Sequence, residues 1–429
     1  MLVMCVFALT ISGCGAAGAG TIAAAGLPAS IAEAPTAAPA PAGPVALADN
    51  IDAVDAMLDG ISAAFLAADA SALRPWLHDP ESPFGRRWLQ RLQDMRGVPF
   101  SSYALTIDSS LPDVTSRDLP GQGGLLINVL EDHQLVGMEE LGPLREHLFL
   151  TLRERDGRWT VAGDSDAEAL GLVSADHLWD QGPVIATRQG SLLLLHHPGQ
   201  GSVDALLQEA QGALATATAR WPLAWPGTVP VIVPRDEAEL AELLHVTYDL
   251  SNFIAFATAS PVGELGVLTM SGSRIVLNTN RFLDRSSATR ERILVHELVH
   301  AASRPSSSSD LPSWVEEGVA QALGEQRSTT GTLLLDSLAR TGWEGSLPTD
   351  AQFSVGGRDR IFLSYQQSWS FVDYLLDAYG RDAVGAFYLA AGQASQGDPG
   401  TTRARLDVAA RAVFGAPVVS LVAAWRAGI

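Results

Sequence analysis

Lysine is absent: all 28 basic side chains of this 429-residue chain are arginines, set against 48 acidic residues for a formal net charge of −20. So acidic a chain, with no basic stripe, argues against nucleic-acid binding as its main task. Cysteine is almost as scarce. Cys5 and Cys14 are the whole complement, and both precede any foldable segment, which excludes a structural disulfide in the fold and a cysteine-based zinc site. No G-x-S-x-G elbow and no phosphate-cradling glycine loop occurs, which removes serine-hydrolase and nucleotide-binding chemistry. No internal repeat is present. What remains is 47% hydrophobic and 18% charged, the composition of a globular protein long enough for two domains.

The chain opens with an apolar run, Met1–Gly13, too short to span a bilayer but suited to a secretory signal core. Its end, Ile11-Ser12-Gly13-Cys14, resembles a bacterial lipobox, although no arginine precedes the apolar run. The resemblance implies lipid attachment at Cys14 and an extracytoplasmic, membrane-anchored protein; an ordinary signal peptide with an incidental cysteine is the alternative. Residues 15–48 are rich in Ala, Pro and Gly and have no apolar period, so they are expected to form a tether.

Residues 49–180 are expected to form an α+β domain. Ile51, Val54, Leu58, Ile61 and Phe65 fall at helical spacing, and further helical pieces lie near Leu73–Leu77 and Gly85–Met95. Strand-like runs follow at Tyr103–Ile107, Leu125–Leu130 and Glu146–Arg155, and Asp156-Gly157 signals a hairpin turn into Arg158–Ala162. Helices first and an antiparallel sheet afterwards, closed by "DGRWTVAG", resembles the cone-shaped nuclear-transport-factor-2-like domains. That likeness implies either a small-ligand cone or a spacer or docking module.

Residues 181–429 are expected to form the second domain, with a small sheet and a mostly helical C-terminal part. Strands are expected at Leu192–Leu195 and Val229–Val233, helices at Val203–Arg220 and Asp236–Leu244, and apolar runs occur at Phe253–Ala257 and Gly266–Met270. Arg274–Asn278 is a strand that is either a substrate-pairing edge or an ordinary internal strand. Beyond Ser364 the pattern is helical throughout.

The chemistry concentrates at His296-Glu297-Leu298-Val299-His300. On a helix, side chains at i and i+4 lie about 40° apart, so both imidazoles can reach one metal ion. Glu297 is turned about 100° from His296, placed beside the metal to hydrogen-bond a metal-bound water without ligating. Leu294, Val295, Leu298, Ala301 and Ala302 are expected to pack on the opposite face, leaving the histidines facing a cleft. Asp284, Ser286 and Ser287 are candidate caps for this helix, and Pro305 closes it. A second helix follows a polar loop, with Asp310 as candidate cap and Pro312 in its first turn.

That second helix reads Trp314-Val315-Glu316-Glu317-Gly318-Val319-Ala320, which is similar to the W-[LV]-x-E-G-x-A helix of the gluzincin peptidases, the thermolysin and aminopeptidase superfamily. The closest likeness is to the short bacterial peptidase-MA-like domains, from about Val184 to the C-terminus. The resemblance implies that Glu317 is the third zinc ligand; Glu316 is its competitor, turned about 100° away on the helix. Two histidines and a carboxylate leave a fourth position for water, the pattern of a catalytic Zn2+, with Glu297 as general base. The family likeness makes Tyr365 the candidate oxyanion partner, against a plain core tyrosine. Two departures stand out. Sixteen residues separate His300 from Glu317, slightly fewer than usual, and Gln321 stands where thermolysin-type enzymes carry an aspartate that orients a ligand histidine.

His78, His133, His147, His177 and His245 are scattered, and His196 and His197 point to opposite faces of a strand; all are expected to be surface or satisfied side chains. The expected function is zinc-dependent hydrolysis of peptide or protein substrates outside the cytoplasm. The alternative is a zinc-binding surface lipoprotein that does little chemistry.

Overall fold

In the computed structural model the described residues are 47, 50–108, 117–119, 124–246, 250, 253–262, 269–307, 311–324, 346–353, 358–393 and 402–427. The expectations for the signal, Cys14, the tether, the Asp310 cap and most of the 266–270 run lie outside them. The chain is mixed α and β, consistent with α+β.

The apolar spacing from Ile51 becomes helix α1 (Ile51–Leu66), which buries Val54, Leu58, Ile61 and Phe65. Two short helices follow, α2 (Ala70–Leu73) and α3 (Pro83–Asp94), each started by a side-chain cap, Asp69 and Ser82. Then come β1 (Phe100–Ile107), β2 (Arg117–Leu119), β3 (Gly124–Leu135), β4 (Leu144–Arg155) and β5 (Arg158–Gly163). They form one antiparallel sheet in the order β1-β3-β4-β5, with β2 also on β3. Asp156 and Gly157 both have positive φ, 54° and 72°, which matches the twist a two-residue hairpin needs.

The second sheet is assembled from β6 (Ile185–Gln189), β7 (Leu192–His196), β8 (Val229–Val233), β9 (Ala255–Val262) and β10 (Thr269–Leu277), in the order β6-β7-β8-β10-β9. Strands β7, β8 and β10 run parallel, and α4 (Val203–Arg220) is the crossover between β7 and β8. The four leucines of β7 divide by alternation. Leu192 and Leu194 join the helical core, while Leu193 and Leu195 join the core of the first sheet. A strand buried on both faces accounts for an unbroken apolar run. Strand β10 lies between β8 and β9, so Arg274–Asn278 belongs to an internal strand and β9 ends the sheet. A strand hydrogen-bonded on both sides has no free edge for a substrate, which corrects that half of the expectation.

The two sheet units meet where β4 packs against β9 and β10. Gly272 has φ +65°, and a side chain there would collide with the Leu144 backbone, its Cβ falling 2.6 Å from the Leu144 Cα. Beside it Ser271 Oγ donates to the Pro143 carbonyl at 2.7 Å, and Arg274 donates to Glu146 at 2.6 Å.

Helices complete the second unit: α5 (Glu237–Leu243), α6 (Thr279–Leu283), α7 (Ser287–Ser303), α8 (Ser313–Gly324), α9 (Arg358–Tyr379), α10 (Arg381–Gln393), α11 (Thr402–Phe414) and α12 (Val418–Ala427). Among the described residues no single helix is long and apolar enough to cross a membrane; α11 and α12 have the length and apolar composition only as a pair, which is bent by 66°. Their Leu406, Ala410, Phe414, Leu421 and Trp425 belong to the helical core.

Candidate metal centre

Helix α7 begins where Ser286 Oγ accepts from the Thr289 amide, and it ends just ahead of Pro305. It packs against α4, α8, β9 and β10. Arg290 clasps it to α4 through a two-pronged pair with Glu209, Nε to Oε2 at 2.7 Å. From Ile293 to Ser303 every residue of α7 is buried. The apolar face is therefore packed as expected, but the histidine face is covered as well rather than opening on a broad cleft.

The cover is α8. Its first amide is capped by Asp350 Oδ1, which accepts from both the Ser313 amide and its hydroxyl at 2.8 Å. Arg220 donates to the carbonyls of Leu323 and Gly324 at its other end, where the helix dipole favours a cation. Gly318 permits the approach of α9: a Cβ there would lie 2.7 Å from Val372 and 2.8 Å from the Ser368 carbonyl oxygen.

This packing brings Glu317 over the histidines. His296 Nε2 and His300 Nε2 are 3.1 Å apart, and Glu317 Oε2 lies 3.3 Å and 3.4 Å from them. Glu316 points elsewhere, accepting from Ser307 Oγ at 2.6 Å with Arg304 at 3.7 Å, so the geometry separates the two adjacent glutamates. A tetrahedral ion with bonds of about 2.0–2.1 Å needs ligand atoms about 3.3 Å apart. The triad has that spacing, whereas charge-assisted hydrogen bonds would draw the atoms to about 2.7–2.9 Å. His296, His300 and Glu317 could thus hold a metal ion. Burial pushes the Glu317 carboxyl up, but His300 and His296 outweigh it and hold it at about 2. A carboxylate kept ionised in a buried site is ready to ligate.

Glu297 is fully buried, and neither carboxylate oxygen has a hydrogen-bond partner among the described residues. Such a group calls for a guest, because an unsatisfied buried carboxylate is costly. Gln321 is buried one turn beyond Glu317. Tyr365 lies within α9, which packs along α8; its ring is buried edge-to-face against Phe353 at 5.2 Å. It is not among the three residues that converge as ligands.

A second cluster was not foreseen. Glu131 and His133 on β3 meet His177, which precedes Trp179 in the connection to the second sheet, and all three are buried. The expectation of a surface or satisfied group fails for His133, whose Nδ1 is buried without a hydrogen-bond partner among the described residues, whereas His177 is buried between Glu131 and Glu146. Glu131 accepts from Arg91 at 2.8 Å and Tyr103 at 2.7 Å, and His177 Nε2 is 3.3 Å away. Burial raises the Glu131 carboxyl, but Arg91 and His177 hold it well below the usual range. Burial also lowers His133, to about 3. The Glu-x-His spacing on a strand, which places both side chains on one face, was the available signal. By contrast, His197 is a satisfied histidine, 2.7 Å from Glu239.

Comparison of the chain with protein-family profiles, with characterised proteins and with solved structures finds no match.

Proposed function

We propose that this chain is a zinc-dependent peptidase of gluzincin type. The reading rests on one observation: two imidazole nitrogens and a carboxylate oxygen within 3.1–3.4 Å of one another, with, on the same helix, a Glu297 carboxylate that has no hydrogen-bond partner among the described residues. The donor set of two histidines and one glutamate is that of catalytic rather than structural zinc. When bound, the ion supplies Lewis acidity, polarising a peptide carbonyl and acidifying water.

The chain's own residues do the rest. His296, His300 and Glu317 hold the ion, and the ionised Glu317 offsets its charge. Glu297 takes a proton from the attacking water at its carboxylate and passes it to the departing amine. No described residue competes for a hydrogen bond at Glu297, which leaves the carboxylate available for both transfers. Tyr365 is the proposed hydroxyl donor to the developing oxyanion. An extended peptide pairs with β9, the end strand beside α7. The first sheet unit, with its likeness to nuclear-transport-factor-2-like cones, is a spacer or docking module. Lipid on Cys14 holds the protein outside the cytoplasm.

Gln321, buried where the superfamily has an aspartate, favours one rival: a zinc-binding lipoprotein with little catalytic power. Glu297→Gln separates the two. Peptide hydrolysis by the parent should fall by about 10²–10⁴-fold with zinc content unchanged, the usual contribution of a positioned base. Hydrolysis that survives the substitution overturns the mechanism, and a zinc-loaded parent with no hydrolysis across a broad peptide library supports the rival.

A further inference from the structure

The seam between the two sheet units holds a cavity of about 70 Å³, whose polar lining includes His133, His177, Trp179 and Arg274. We infer that Glu131, His133 and His177 form a second, independent metal site at the wall of this cavity, suited to a divalent ion of the zinc class. One potential ligand atom from each side chain lies within 4.8 Å of the others, and all three residues are at most 5% exposed. Two imidazoles and one carboxylate form a borderline donor set that favours zinc over calcium or magnesium.

Three independent observations point to a ligand. First, an unsatisfied ligand nitrogen lies here. His133 Nδ1 is buried with no hydrogen-bond partner among the described residues, a costly arrangement if nothing binds. Second, His177 is already oriented as a metal-bound histidine would be: its Nε2 faces Glu131 at 3.3 Å and its Nδ1 faces Glu146 at 3.5 Å. A carboxylate behind a ligating imidazole holds the ring and raises its basicity. Glu131 is fixed likewise by Arg91 and Tyr103, and Glu146 by Arg274. Third, both histidines line the cavity, which provides a way in for the ion and room for a fourth ligand.

Glu131, Glu146 and Asp180 face the guanidinium groups of Arg91 and Arg274, and the His177 imidazole lies between Glu131 and Glu146. A metal-free ion network is the competing arrangement. A bound ion would join β3 to the connection between the sheets, and so fasten the two units beside the Arg274–Glu146 pair.

The test uses the full chain with the first site removed by His296→Ala and His300→Ala. After loading with zinc and desalting, the parent should carry two ions per chain and the double variant one. His133→Phe, which keeps the ring packing but has no ligand nitrogen, should lower each count by one, and His177→Gln should do the same independently. If either of these variants fails to fold, Co2+ added to the double variant must give a visible absorption band that zinc abolishes. A double variant with no retained ion and no cobalt band overturns the inference, as does one whose retained ion survives both His133→Phe and His177→Gln. A parent with one ion that the double variant keeps would instead overturn the first site and leave this one standing.

Discussion

Gly318 sits against α9, immediately after the proposed ligand Glu317, and Gly318→Ala probes how tightly packing sets the candidate metal centre. The added methyl would fall 2.7 Å from Val372 Cγ2 and 2.8 Å from the Ser368 carbonyl oxygen, where ordinary contacts begin near 3.4 Å. The helices must therefore separate by about 0.6 Å, because a backbone carbonyl cannot rotate away as a side chain can. Overpacking of this kind costs about 1–3 kcal/mol, and the better helix propensity of alanine returns about 1. The net loss of roughly 0–2 kcal/mol corresponds to a melting point lower by at most about 8 °C in a unit of this size. The larger effect falls on the metal. Metal sites tolerate ligand displacements of about 0.2 Å, so a shift of Glu317 three times as large should weaken zinc binding by at least tenfold. Adding Val372→Ala removes one contact but leaves the Ser368 carbonyl, so only partial recovery is expected. Thermal melts and a competitive zinc titration report both quantities. A Gly318→Ala protein that melts with the parent and binds zinc equally well would refute the reasoning.

Three further outcomes follow from the same packing. Glu317→Gln should lower zinc affinity by more than tenfold, whereas Glu316→Gln should leave it within about threefold and act mainly on stability, through Ser307 and Arg304; the reverse ranking in a zinc titration would reassign the ligand. Asp350→Ala should destabilise the chain by about 0.5–2 kcal/mol in denaturant melts by removing the cap from α8, and no change would show that the cap carries no load. Acid should loosen the α4–α7 clasp: Arg290 hydrogen bonding lowers the Glu209 carboxyl against the opposing effect of burial. A depressed carboxylate stabilises above its unfolded value and loses that contribution as pH falls through its folded value. Glu209→Gln should therefore be less stable than the parent near neutrality, by about 1 kcal/mol, and the difference should shrink below about pH 4; a constant difference would contradict the linkage.

Short-range pattern carried a large part of this structure. Helix α4 and strand β8 have the bounds that apolar spacing indicates, Asp156-Gly157 makes its hairpin, and Ser286 caps α7. Other local signals were present but weaker. Strand β6 carries no long apolar run, since Ile185 is exposed at its start and Thr187, Arg188 and Gln189 follow. The Glu131-x-His133 alternation gave no sign of a third member 44 residues further on.

By itself the sequence determined that His296 and His300 share a helical face, because a pitch of 3.6 residues leaves i and i+4 side chains nowhere else to go. The same geometry set Glu316 and Glu317 apart without saying which one faces the histidines. Only the tertiary structure decided that, when α9 packed against Gly318 and α8 was capped by Asp350 from a distant segment. It also decided that β10 is internal and β9 is the end strand, and that His177 meets Glu131 and His133 at a seam between two sheets. Periodicity is a property of neighbours along the chain and can be read from them. Strand order, and the choice of which buried faces meet, depend on the path of the whole chain and on burial free energy summed over contacts remote in sequence.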